Sequence, residues 1–383
     1  MPKPPTYRRK NLSLSAMQNN SLTRIPWLDV LRIAACFMVV FAHSGDFFVA
    51  RFDEDRTAFL SGVCWGSLMR ACVPLFVMIS GVLLLPVRTD MGTFYRRRLG
   101  RILVPLLFWS LLTPLFYRAY GHAEGANAVY YIASFPLNFN YVTTPLWYLY
   151  MLAGLYLILP IVSPWVAQAS RKDLKRFLYL WGFTLFIPYI RVLAPFFGYV
   201  GNYGHTGIFG ECDWNPFGTF YYVSGFLGYL ILAHYLNLYP SRRSKKQICI
   251  RSAICFATGY ALTCGGYIWT QRYFPTDYAY LEIPWFFTGF SVFLMTYGVF
   301  TALQTIRISN PRTQARLGRW ASLTFGIYLC HFFIVQVGYD FVVKYIPWPP
   351  YLQIPLIAVL AFTVSAGVVR LLQKLPCHKY LIG

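Results

Sequence analysis

The sequence predicts an all-α polytopic membrane protein, a bundle of about ten transmembrane helices with both termini cytoplasmic. Three observations predict it. Hydrophobic residues make up 57% of the 383 positions and charged residues only 12%, where a soluble domain carries about 25% charged. The apolar residues gather in runs long enough to cross a hydrocarbon core of about 30 Å at about 1.5 Å per residue. The basic residues behind a net charge of +21 lie in short bursts between those runs, the distribution that holds loops on a cytoplasmic face.

The expected spans lie near 30–50, 67–87, 99–118, 145–166, 177–198, 216–236, 250–269, 281–303, 321–343 and 352–373. Pro74, Pro105, Pro160, Pro188 and Pro284 fall within them, as membrane helices tolerate. With the N-terminus inside and the loops alternating, 26 of the 34 Lys and Arg fall on the inner side, seven on the outer, and Arg32 inside the first span. Ten of the 13 Asp and Glu fall on the outer side. This asymmetry sets the orientation. Residues 1–24 are polar and basic, without the apolar core of a cleavable signal, and read as a disordered cytoplasmic tail. Residues 25–376 form the membrane domain, and 377–383 a cytoplasmic C-terminal tail.

The positive charge does not point to nucleic acid, because no compact basic domain carries aromatic platforms for bases. The nine cysteines mostly sit within spans and lack metal-ligand spacing, so no metal is implied. Cys64 and Cys212 alone lie near the outer face, which leaves a disulfide between them open. The longest outer stretches are 51–66, 119–144, 199–215 and 270–280. The third carries His205, Glu211 and Asp213 among glycines and aromatics. No Gly-Lys-Ser/Thr follows, so it is not a phosphate loop. Its aromatic faces and carboxylates suit a sugar, and equally an interfacial aromatic belt.

The first span, LDVLRIAACFMVVFAHSGDFF, is the most informative. An arginine inside a membrane helix costs about 2.5–3.5 kcal/mol on insertion scales, so Arg32 needs a reason. His43 follows eleven residues later, which puts both side chains within about 20° of one helix face and about 16 Å apart along it. Asp46, three residues beyond His43, is placed to orient the imidazole. Two readings of Arg32 stand: a buried functional cation, or a side chain snorkelling to the cytoplasmic interface. His43 alone would read as a packing histidine; its register with Arg32 changes that.

At these residues the chain resembles a known family. Arg32, ten intervening residues and His43 reproduce the arginine–histidine signature of the acyltransferase-3 family of membrane O-acyltransferases. VPLFVMISGVLLL, through Pro74, Phe76, Ser80 and Gly81, resembles that family's second segment. FYRRRLGRILVPL matches its Arg-x-x-Arg element at Arg98 and Arg101. PLWYLYMLAGLYLILP, with Trp147, Tyr148 and Pro160, FYYVSGFLGYL, with Gly225 and Gly228, and FGIYLCHFF, with Tyr328 and His331, are similar to later segments. The resemblance runs from about residue 25 to 373 and is closest in flavour to inner-membrane enzymes that O-acetylate surface glycans.

The resemblance implies an acyl-CoA donor, acetyl-CoA above all, on the cytoplasmic side and a glycan or lipid-linked sugar hydroxyl on the outer side. Arg98 and Arg101, with Arg32 deeper, would hold the polyanionic donor; Arg96 and Arg97 read as positive-inside anchors. His43 would deprotonate the attacking hydroxyl or carry the acyl group itself. His331 sits mid-span, either on the acyl pathway or as a packing hydrogen bond. Glu282, Trp147 and Tyr148 are candidates for the acceptor side, against solvated-helix-end and interfacial-belt readings. Ser80 lacks the nucleophile elbow and reads as close packing beside Gly81. A homo-oligomer is left open. The rival class is a secondary transporter, which would also bury Arg32 and His43; the absence of repeated halves and matched broken spans argues against it.

Overall fold

The computed structural model describes residues 24–121, 126–134, 139, 141–199, 201, 207–212, 215–275 and 278–383. Residues 1–23 of the N-terminal tail lie outside them, as do His205 and Asp213. The chain runs α1 Pro26–Val49, α2 Arg56–Met69, α3 Cys72–Leu84, α4 Met91–Ala119, α5 Ala128–Ser134, α6 Trp147–Gln168, α7 Arg171–Thr184 and α8 Ile187–Leu193. It continues through α9 Leu227–Leu238, α10 Lys245–Tyr273, α11 Tyr278–Leu281, α12 Phe290–Gln304, α13 Pro311–Tyr345, α14 Pro350–Leu372 and α15 His378–Ile382. Among the described residues nine helical segments are long and apolar enough to span a membrane. All-α architecture and multiple membrane crossings therefore stand as expected.

Local chemistry sets the helix starts. Pro26 opens α1 within its first turn. Asp55 accepts from the Thr57 and Ala58 amides to cap α2. Asp90, Ser170 and Asn310 cap α4, α7 and α13 in the same manner, and Ser244 with Gln247 makes a capping box for α10. Each cap satisfies amides that no preceding helical turn can serve. Trp27, Arg243, Lys245 and Arg307 surround one small cavity, so basic loops gather at the end where α1 begins, called here the near end. At the far end Arg51 Nη2 donates to the Tyr339 hydroxyl at 2.6 Å.

Helix α1 is the hub, packed against α2, α3, α12, α13 and α14. Leu31, Ala35, Cys36 and Val40 are completely enclosed there. The peripheral α4 behaves oppositely. Leu103, Leu107, Leu111 and Leu115, four residues apart, all present their side chains outward, a stripe suited to lipid rather than water.

Three sequence expectations shift. The stretch 51–66 is not a loop: α2 begins at Arg56 and forms one long span with α3, broken only at Arg70–Ala71. Its Ser and Gly content suggests a loop, but small residues also permit close helix contact. The Cβ position of Gly62 lies 3.0 Å from the Gly45 carbonyl of α1. The span expected at 216–236 is realised as a 3₁₀ segment, Gly218–Val223, and then the 12-residue α9. At about 1.5 Å per residue α9 covers about 18 Å. Gly218 and Gly225 adopt positive φ, which ends regular helix on both sides of that segment. Finally, the C-terminal segment is not merely a tail. Its α15 packs on α4, α13 and α14 and buries Ile382.

Helix α9 packs on α3 and α7. A Cβ at Gly81 would sit 2.3 Å from the Leu230 carbonyl oxygen of α9, far inside van der Waals contact with immovable backbone. Gly81→Ala is therefore expected to lower stability by about 1–3 kcal/mol, read as an earlier thermal midpoint of the detergent-purified chain. An unchanged midpoint would show that the α3–α9 contact is looser than described.

Candidate functional site

Two cavities with no lining residue in common open on opposite ends of α1. The near cavity, of about 460 Å³, is lined by Arg24, Arg32, Arg98 and Arg101, together with Ser80, Tyr148, Tyr156, Ser322, Tyr328, Gln373 and His378 among others. Arg98 and Arg101 lie one turn apart on α4, so both face it; the exposed Arg96 and Arg97 do not line it. Arg32 is close enough to interact electrostatically with Asp29, Arg101 and Arg24. Arg24 Nε donates to buried Asp29 at 2.6 Å, so one carboxylate offsets part of the charge of four guanidiniums. The Gly383 carbonyl accepts from Arg101 Nη2 at 3.2 Å. The chemistry of this donor set fits a phosphorylated ligand: arginine forks match phosphate oxygens bidentately.

The far cavity, of about 620 Å³, is lined by His43, Asp46, Arg70, Trp147, Glu282, Trp285 and Phe287 among others. His43 Nδ1 lies 2.7 Å from Asp46 Oδ2. An ionised carboxylate only accepts, so Nδ1 is the nitrogen that donates to Asp46, and in the neutral imidazole this places the lone pair on Nε2. That is the tautomer a general base needs, held by the i, i+3 spacing on α1. Trp147 stacks on Phe287 with centroids 5.6 Å apart, a broad aromatic wall. Glu282 is open to the cavity; burial of its surroundings raises its carboxyl above the ordinary value, and the Arg70 charge pulls it back.

Between the cavities lies a wall of packed side chains. Tyr148 and Tyr328 meet edge to face at 5.5 Å, and the Tyr328 hydroxyl donates to the Pro145 carbonyl. One turn along α13, His331 is completely enclosed, its ring 5.2 Å from that of His43. His331 Nδ1 lies 2.6 Å from the Tyr328 carbonyl. A carbonyl can only accept, so this nitrogen is the protonated one. Among the described residues the bare Nε2 is buried with no hydrogen-bond partner. Buried polar atoms normally find partners, so this nitrogen beside His43 is an exception within the wall.

The expected residues thus divide between two sites. Arg32, Arg98 and Arg101 share the near cavity; His43, Asp46, Trp147 and Glu282 share the far one. His331 stands in the wall, and Tyr148 faces the near cavity although its neighbour Trp147 faces the far one. Arg24 and Arg70 were not singled out from sequence. Arg70 carried the same signal as Arg32, a cation at an apolar run, but its place at an expected helix end masked it. Cys64 and Cys212 are both free. Cys64 Sγ lies instead 3.8 Å from Cys264 Sγ across α2 and α10, which sequence separation concealed.

A family model described as an acyltransferase domain matches residues 25–370, nearly the whole chain. No curated protein and no solved structure matches. With a family match spanning α1 to α14, the chain belongs to the acyltransferase-3 family and is a multi-pass membrane acyltransferase.

Proposed function

We propose that the protein is an O-acyltransferase of the bacterial inner membrane. It moves an acetyl or other short acyl group from cytoplasmic acyl-CoA to a hydroxyl of a glycan or lipid-linked sugar at the outer face. The near end is cytoplasmic, a reading supported by the basic loops gathered there, and both termini lie on that side. The observation that carries the proposal is the division of charge about one wall: an arginine-lined cavity on one side, an Asp46-held histidine base on the other.

The chemistry follows from the residues. Arg98, Arg101 and Arg32 hold the phosphates of acyl-CoA, so that the thioester reaches inward along α1. Sugar rings pack their C–H faces on Trp147 and Phe287, while Asp46 and Glu282 accept from hydroxyls. His43 Nε2 takes the proton from the attacking hydroxyl as the new C–O bond forms. The C–S bond then breaks, and the proton passes to the leaving thiolate. Trp147 and Glu282 orient the acceptor; Tyr148 and His331 form the passage the acyl group crosses.

The test is incubation of the purified full chain in nanodiscs with radiolabelled acetyl-CoA and a crude surface-glycan extract. Label that enters the glycan and leaves it on mild alkali, as an ester does, is the expected result. No label in glycan, with solute uptake into proteoliposomes lacking any acyl donor, would overturn the proposal in favour of a transporter.

A further inference from the structure

Arg70 is the cation of the far cavity, and nothing in the reaction described so far uses it. It sits at the break between α2 and α3, on the cavity surface with His43, Asp46 and Glu282. Its guanidinium carbon lies 3.7 Å from the Trp285 ring centroid and 5.7 Å from that of Phe287. Trp285 is itself fixed, its Nε1 donating to Ser67 Oγ at 2.8 Å and its ring stacked on Tyr267. Among the described residues Arg70 makes no hydrogen bond or ion pair, and its Nε is buried without a partner. The stacking orients the guanidinium by its face, which leaves its in-plane N–H donors uncommitted.

A cation kept at this depth without an ion pair is costly and marks function. The first turn of α3, at Cys72 and Val73, lines the same surface and adds the positive end of a 13-residue helix. The remaining question is which anion this corner serves. A permanently anionic acceptor would also meet Asp46 and Glu282, two carboxylates in one cavity. A charge that exists only during the reaction fits better.

We infer that Arg70 stabilises the oxyanion formed when the acceptor hydroxyl adds to the thioester carbonyl in the far cavity. The inference rests on the acyl-transfer reading above. In the step, the hydroxyl oxygen bonds to the carbonyl carbon, the C=O electron pair moves onto oxygen beside Arg70, and His43 Nε2 takes the hydroxyl proton. Collapse re-forms C=O, breaks C–S, and returns the proton to the thiolate. Donors already aimed at a developing oxyanion act without reorganisation, and removing one costs about 10²–10³-fold in kcat.

The experiment compares wild type, Arg70→Gln and Arg70→Lys in nanodiscs, with acetyl-CoA and monofluoroacetyl-CoA as donors and surface-glycan extract as acceptor. Arg70→Gln is expected to lower kcat with acetyl-CoA by about 10²–10³-fold, with both KM values nearly unchanged. The fluorine withdraws electrons and stabilises the oxyanion by itself, so the defect shrinks with the second donor; a purely structural defect would not. Arg70→Lys keeps the charge and recovers much of the rate, and it decides the matter should Arg70→Gln fail to fold. A loss confined to acceptor KM, a defect equal for both donors, or full activity in both variants would overturn the inference. Absence of transfer by wild type would instead sink the acyl-transfer reading itself.

Discussion

Replacing His43 by alanine is expected to slow acyl transfer by about 10²–10⁴-fold, the usual contribution of a positioned general base. Acetyl-CoA binding should survive, because His43 lines the far cavity and Arg32, Arg98 and Arg101 line the near one. The measurement is the initial rate of label transfer, paired with calorimetric titration of acetyl-CoA into each protein. Asp46→Asn should give a smaller loss in rate, because the amide oxygen can still accept from Nδ1. Equal rates in wild type and His43→Ala would remove His43 from the chemistry and leave the orphan nitrogen of His331 as the remaining base. Loss of both transfer and donor binding would place the defect in folding.

The second large effect belongs to the near cavity. Arg98→Gln and Arg101→Gln should each raise the KM for acetyl-CoA by about tenfold or more, with kcat largely kept. A hydrogen bond to a charged group contributes about 1.5–3 kcal/mol, and every 1.4 kcal/mol is tenfold. Arg96→Gln and Arg97→Gln on the same helix should change KM little, because neither lines the cavity. This contrast separates a donor clamp from general positive charge. Equal effects at all four positions would mean that the arginines act only through the membrane surface potential.

Local periodicity explains what could be read in advance. Arg32 and His43 belong to one uninterrupted helix, so their register follows from helical geometry alone, and the two cavities lie where that spacing puts them. Arg98 and Arg101 were separable from Arg96 and Arg97 through the resemblance to the family's Arg-x-x-Arg element, and their one-turn spacing then sets both on the near cavity. What depended on neighbouring helices was not legible. Trp147 and Tyr148 are adjacent in sequence yet face opposite cavities, since the wall runs between them. The shortening of α9 comes from glycine backbone angles at Gly218 and Gly225, and the break at Arg70 had no local signal in the sequence. The contact of Cys64 with Cys264 joins positions two hundred residues apart. Burial of Ile382 similarly reflects a surface that α4, α13 and α14 form together.

The wall through Tyr148, Tyr328 and His331 has a meaning beyond catalysis. A membrane that stores energy as an ion gradient must stay electrically tight, and a water-filled path through any one protein would discharge it. Among the described residues the two cavities share no lining residue, and the packed side chains of Tyr148, Tyr328 and His331 stand between them. In the proposed reaction the uncharged thioester arm passes where side chains yield briefly, whereas a hydrated ion would have to shed its water to follow. In that proposed reaction, the same partition between donor and acceptor would also serve as insulation, letting chemical groups cross without electrical leakage.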